Sequence, residues 1–346
     1  MSTVPDAGDA QPVEPCDPVR TGAGDPRHAD PEPADLEHSE PESPDPESSD
    51  PESELERGVD TGGPLTTSLA WATWALFVGL GFLLCGAGLF GTVVGIRAET
   101  EGFATISIGM ITGAYYLGFL AGSRLTLRLL GSVGHIRVYA ALASLLSVAV
   151  LVAGMFVAPG AWILLRFVAG ACLAGQYVVA ESWLNQLVTN ATRGRILSLY
   201  SLLRIVALGV GQLSVGLVDP DTLTAFGVGA VIISLAVTPV ALSAAAAPPI
   251  VQAPEPMSLR RLFAIVPTGV VTSLLVGVAH GSFLGLSAVY ATRGGLSPAE
   301  IGAFVALPTL GSLLLQVPIS AASDDLDRRA VGAAAAIAAG GAAVLL

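Results

Sequence analysis

Apolar residues in this chain come in long unbroken runs separated by short polar segments, rather than at alternating or amphipathic spacing. A helix needs about 20 mostly apolar residues to cross a bilayer. Nine runs from Leu65 onward meet or approach that length: 68–96, 104–122, 138–158, 161–187, 196–218, 222–244, 264–291, 298–320 and 330–346. Apolar on all sides, they predict helices buried in lipid, because only a helix or closed barrel satisfies its own backbone there. Several are longer than a bilayer requires, which permits tilt. The predicted fold class is an all-α membrane protein.

The polar segments alternate in arginine content, which sets orientation. Those after the second, fourth, sixth and eighth runs hold Arg124, Arg128, Arg137, Arg193, Arg195, Arg260, Arg261, Arg328 and Arg329. The opposite side has Arg97 and Arg293, with Glu99, Glu101, Asp219, Asp221 and Glu300 nearby. The bias predicts a multi-pass protein of the cell (inner) membrane with a cytoplasmic N-terminus. The segment 245–262 carries Pro248, Pro249, Pro254 and Pro256, cannot continue a helix, and predicts a cytoplasmic linker. It divides a six-helix bundle, 65–244, from a partial bundle of three helices, 263–346.

Composition changes the picture at the N-terminus. Residues 1–60 contain 18 of the 28 acidic residues and only three arginines; the rest has 13 arginines and 10 acids, a net of +3. The net charge of −12 therefore belongs to residues 1–64, an acidic, proline-rich segment with little to bury, which predicts a disordered tail. It has no basic start and apolar core, so it is not a signal peptide. Two readings stand for it: a solvated bristle, or a docking arm for a partner. Lysine is absent. That excludes a P-loop ATPase and a retinal Schiff base, both of which need a lysine amine. Cys16, Cys85 and Cys172 have no metal or disulfide spacing. No metal, cofactor, ATP or nucleic-acid partner is expected.

Four ionisable residues fall within runs: Arg166, Glu181, Arg204 and His280. A charge at membrane depth is costly unless paired or hydrated, so each is a candidate for the solute or proton pathway. Glu181 lies ten residues before Ala191 at the tip between the fourth and fifth runs, and Arg204 thirteen after. At about 1.5 Å rise per residue the two share a depth to within ~5 Å on antiparallel neighbours. They are expected to face each other or a common polar cavity. Asn185 shares the face of Glu181, and Gln176 and Gln212 add polar groups to the same helices. The plainer readings are an ion pair locking two helices for Glu181 and Arg204, a snorkelling side chain for Arg166, and a packed histidine for His280. Glycines four apart, Gly91/Gly95, Gly109/Gly113 and Gly118/Gly122, permit close helix approach, either as packing alone or as sliding surfaces.

Gly122, Arg124, Arg128, Gly134 and Arg137 form a basic hairpin between the second and third runs. Six runs later, Asp324, Asp325, Asp327, Arg328 and Arg329 occupy the same place. That is the internal repeat expected of a two-bundle carrier. Together these residues resemble the major facilitator superfamily, and most closely its YcaD-like branch. The closer resemblance is carried by Gly95-Ile-Arg97 with Glu101-Gly-Phe103, by Tyr116-Leu-Gly-Phe-Leu-Ala-Gly122 and by Gly134-His-Ile-Arg137. Leu165-Arg-Phe167, Glu181-Ser-Trp-Leu-Asn185 and Thr192-Arg-Gly-Arg195 belong with it. In the second half Pro267, Gly281-Ser-Phe-Leu-Gly285, Val289-Tyr-Ala291 and Gln316-Val-Pro318 match. The likeness covers 68–346.

The resemblance implies two six-helix bundles rocking around a central site, and a secondary transporter moving a small solute by alternating access, with a proton as candidate coupling ion. It implies gating roles for Gly122, Arg124, Gly134 and Arg137, and for Asp324 and Arg328 as their second-half equivalents. The second hairpin departs from the pattern: Ser320 and Ala321 stand where glycine and arginine are expected, and Asp325 where arginine is. With nine runs against the family's twelve, the expectation is a truncated carrier. The alternative is a non-transporting membrane scaffold or regulator. A membrane enzyme would need a metal or nucleophile cluster, and Glu181 has no His or Cys neighbour in sequence.

Overall fold

A computed structural model describes residues 65–187, 193–243, 258–325 and 327–345. Its side chains are described from Thr73 onward, except at 317, 320, 321, 323–326, 328 and 343–346. The acidic tail and most of the proline-rich linker lie outside the described residues. The described chain is helical. In order come α1 (Leu65–Thr100), α2 (Thr105–Val133), α3 (His135–Met155), α4 (Pro159–Leu187) and α5 (Arg193–Leu213). They are followed by α6 (Leu223–Leu235), α7 (Val237–Leu242), α8 (Leu259–Ile265), α9 (Pro267–Arg293), α10 (Pro298–Asp325) and α11 (Arg328–Leu345). A 3-10 turn, Ser214–Leu217, extends α5, and α6 and α7 form one crossing broken at Ala236.

Eight helices among the described residues are long and apolar enough to cross a membrane. The expected ninth run extends to 346, past the last described side chains, so eight is a count of the described residues alone. The ninth run is helical as part of α11, but its described apolar stretch, Arg329–Ala342, is shorter than a crossing needs. The hairpin between the second and third runs differs. No helix breaker intervenes between Gly122 and Val133 except Gly131, so α2 continues through Arg124 and Arg128. Hydropathy marks where a helix leaves the lipid, not where it ends. The turn is Gly134 alone, at φ 87°, its N–H donating to the Leu130 carbonyl at 3.3 Å. Only glycine adopts that φ without strain.

Within the first six crossings, α2 lies along α4, α1 packs on α5 and α6, and α3 packs on α4 and α6. Of the three glycine pairs, Gly118 and Gly122 sit at the closest approach. A Cβ on them would collide with the α4 backbone at Phe167 and Ala171, and one on Gly170 with the α2 backbone at Tyr115. Gly91, Gly109 and Gly113 have open space instead, and Gly95 faces Ala288. The core between these helices holds Leu80, Leu84, Tyr139, Trp162 and Trp183. Buried polar groups tie helices together: Gln176 Nε2 donates to the Tyr139 carbonyl at 2.8 Å, Ser147 Oγ to the Ala230 carbonyl at 2.9 Å, and Trp162 Nε1 to the Ala153 carbonyl at 2.9 Å.

The later helices attach at one end. α9 packs on α1 and α10 on α5. Ala288, Val289, Ala291, Ile301, Val305 and Ala306 are buried there, whereas α9 from Val271 to His280 is exposed.

Candidate functional site

Where α9 and α10 part from the first six crossings they leave a cavity of about 560 Å³. Residues from α1, α2, α3, α4, α5, α9 and α10 line it. Its walls are apolar and aromatic, with Phe90, Tyr115, Tyr116, Phe119, Tyr177 and Phe283 prominent. Its cationic groups are Arg166 and Arg204, with His280 as a third nitrogen base. The volume and the few polar groups on an apolar wall are those of a small-molecule site, typically about 300–1,000 Å³.

The arginines rest on rings. The Arg166 guanidinium carbon lies 4.5 Å from the Tyr115 ring centre and 5.3 Å from that of Phe90. Arg204 lies 5.5 Å from the Tyr177 ring centre. Ring contacts join the two ends: Tyr115 to Phe119 at 6.3 Å, and Phe119 to Tyr177 at 6.0 Å. Arg166 Nε and Gln212 Oε1 are buried without a hydrogen-bond partner among the described residues.

One end of the helices is closed by charge. Arg97 pairs with Glu101 at 2.6 Å and with the Asp221 carboxylate at 3.5 Å, and also donates to the Asp221 backbone carbonyl. Thr100 Oγ1 donates to Asp221 Oδ1 at 2.8 Å. Arg293, at the end of α9, pairs with Glu99 at 2.8 Å and donates to Thr105 Oγ1 at 3.2 Å. Together these join α1 to the segment before α6 and α9 to α1 and α2. Tyr116 Oη donates to the Gly281 carbonyl at 3.4 Å below them. At the opposite, arginine-rich end, Arg124, Arg128 and Arg137 are exposed.

Of the seven residues expected along a solute or proton pathway, Arg166, Arg204, Gln212 and His280 line the cavity. Gln176, Glu181 and Asn185 do not. Gln176 is fully buried and engaged with α3. Asn185 accepts from Arg193 at 3.3 Å. Glu181 is exposed and accepts from Tyr200 Oη at 3.2 Å, without an ion pair to Arg204. The expected facing of Glu181 and Arg204 is therefore not a contact: Glu181 bonds Tyr200 while Arg204 rests on the Tyr177 ring. Equal depth did not mean contact, because Tyr177 on α4 occupies the guanidinium. Of the gating candidates, Gly122 packs on α4, Gly134 makes the turn, and Arg124 and Arg137 are exposed. Asp324 ends α10 and Arg328 starts α11, and their side chains lie outside the described residues. Sequence reasoning missed the aromatic lining. The adjacent pair Tyr115-Tyr116 in a lipid-crossing helix was the available signal. It also took Arg97, Glu99, Asp221 and Arg293 for loop charges rather than a connected set.

The pattern of the Major Facilitator Superfamily matches residues 76–346. The chain belongs to the major facilitator superfamily. An uncharacterized MFS-type transporter of Yersinia pestis is 30% identical over 260 residues, covering 71% of this chain and 66% of the relative. The Escherichia coli protein YcaD, also described as an uncharacterized MFS-type transporter, is 28% identical over 258 residues, covering 73% and 66%. The chain thus spans 66% of the length of these curated relatives. Among solved structures, the nucleoside transporter NupG superposes with a TM-score of 0.57 at 14% identity, covering 72% of this chain and 67% of that one. A D-xylose-proton symporter gives 0.51 at 14% identity, covering 73% and 69%. At these identities the likeness is one of fold. It places the cavity in a major facilitator scaffold.

Proposed function

We propose that the protein is a secondary transporter that carries a small solute through the cavity by alternating access, with 65–244 and 263–346 moving as two bodies about the linker 245–262. The observation that carries the reading is a cavity of about 560 Å³ lined from both bodies, with the Arg293–Glu99 ion pair joining them at one end. A rocking carrier needs such a site, closed on one side at a time. The arginine bias places the closed end outside and the open end in the cytoplasm, with the protein in the inner membrane. Gly122, Arg124, Gly134 and Arg137, with Asp324 and Arg328, then belong to the cytoplasmic gate.

The test is reconstitution of the full chain into vesicles, incubation with the small-molecule fraction of host cells under an imposed proton gradient, and mass spectrometry of the vesicle contents. At least one solute is expected to accumulate above the level in empty vesicles. Equal contents with and without the protein, in both gradient directions, would sink the transport reading and favour a scaffold.

Glu181 accepts from Tyr200 on α5, the helix that carries the lining residue Arg204, and we assign it the proton-coupling role. Glu181→Gln is expected to keep downhill exchange of the solute while losing proton-driven accumulation. Unchanged accumulation by that variant would leave Glu181 as the partner of Tyr200 and nothing more.

A further inference from the structure

We propose that the cavity selects organic anions: solutes with a flat apolar body and one carboxylate, drawn by the positive charge of Arg166 and Arg204. The inference rests on the transport reading and names its substrate class. It starts from a charge imbalance. Both guanidiniums line the cavity, and among the described residues no Asp or Glu lines it. Every ion pair among the described residues lies at the closed end, between Arg97, Arg293 and their carboxylates. Glu181, outside the cavity lining, is taken by the Tyr200 hydroxyl.

Stacking on rings returns only part of what a guanidinium loses on leaving water. Arg166 also keeps a buried Nε–H with no acceptor among the described residues. A carboxylate entering the cavity supplies that acceptor, and a guanidinium is the group whose geometry fits it. A cationic solute would meet two like charges. A neutral one would displace water from both arginines and return nothing. Between the two arginines the wall is the aromatic series Tyr115, Phe119 and Tyr177, which offers ring faces to a planar body.

Binding is measured on the full chain in lipid nanodiscs with radiolabelled 2-naphthoate, displaced by 2-naphthalenemethanol and 2-naphthylmethylamine, which keep the ring and change the charge. The anion is expected to bind at least about tenfold tighter than either, a difference of about 1.4 kcal/mol. Arg166→Gln and Arg204→Gln are each expected to remove that preference, while Arg166→Lys and Arg204→Lys retain part of it because charge remains without the planar fork. Arg260→Gln, at an exposed position on α8, serves as the control and keeps the preference. Size-exclusion profiles identify any variant that fails to fold, and the lysine variants then carry the test. Equal binding of the three probes, no binding of any, or an anion preference that survives both glutamine variants would overturn the proposal. The readout is binding, so an anion preference without accumulation in vesicles would retain the site and refute transport. Accumulation of a neutral or cationic solute, with no anion preference, would do the reverse.

Discussion

Gly122→Leu is expected to leave little folded protein, while Gly109→Leu gives a yield near that of the parent. The two glycines lie on the same helix and look alike in the sequence. At Gly122 a side chain would enter the α4 backbone at Ala171, whereas at Gly109 nothing stands within 4 Å. Overpacking a core costs about 1–3 kcal/mol when side chains can move aside. Here the obstacle is main chain, so α2 and α4 must separate, and they form the most extensive helix pair in the molecule. The loss then approaches a stability that is only about 5–15 kcal/mol for typical proteins. The fraction eluting as a single species in detergent, with its melting temperature, checks this. Equal yields for the two variants would mean that the close approach of α2 and α4 does not support the fold.

The second large effect is expected from the closed end. Arg97→Gln combined with Arg293→Gln removes every ion pair that joins α1 to Asp221 and α9 to Glu99. Exposed pairs contribute about 0.2–1 kcal/mol each. Arg293–Glu99 joins the two bodies and Arg97–Asp221 braces the first from within, so the loss shifts a balanced open–closed equilibrium by up to about fivefold toward opening at this end. A cysteine replacing Thr92 reports the change in a background with Cys16, Cys85 and Cys172 replaced by serine. Thr92 lines the cavity. Its labelling by an impermeant maleimide from the side of Glu101 is expected to rise severalfold in the double variant. High salt, which screens exposed pairs, is expected to produce part of the same rise in the parent. Labelling that ignores both changes would show that apolar packing around Ala288 and Ile301, rather than charge, keeps this end shut.

The two results concern different levels of the structure. Lipid offers little hydrophobic drive between helices, so small residues and close backbones hold the first six crossings together. The joint between those crossings and α9–α10 is smaller and carries charge at its rim.

Much of this was legible in the residue order. Apolar run length placed the crossings because the bilayer imposes its thickness on any helix that spans it. Lysine-free composition removed whole classes of chemistry. Arg166, Arg204 and His280 stood out because a charge in an apolar run requires a reason. Run length could not see that α2 continues beyond the lipid through Arg124 and Arg128, because hydropathy records the solvent rather than the hydrogen-bonded turn.

Pairing was the part that sequence could not supply. Glu181 and Arg204 were matched by depth, yet each helix presents a given depth on all its sides, and rotation about the axis decides what touches. Packing gave Glu181 to Tyr200, set Arg204 on Tyr177, and placed Arg166 against Tyr115 and Phe90. By itself the sequence determined that this is a helical membrane protein with one arginine-rich side and a few charges in its crossings. The tertiary structure alone decided which of those charges share a cavity, and that among the described residues no carboxylate lines it, because that depends on how helices turn toward one another.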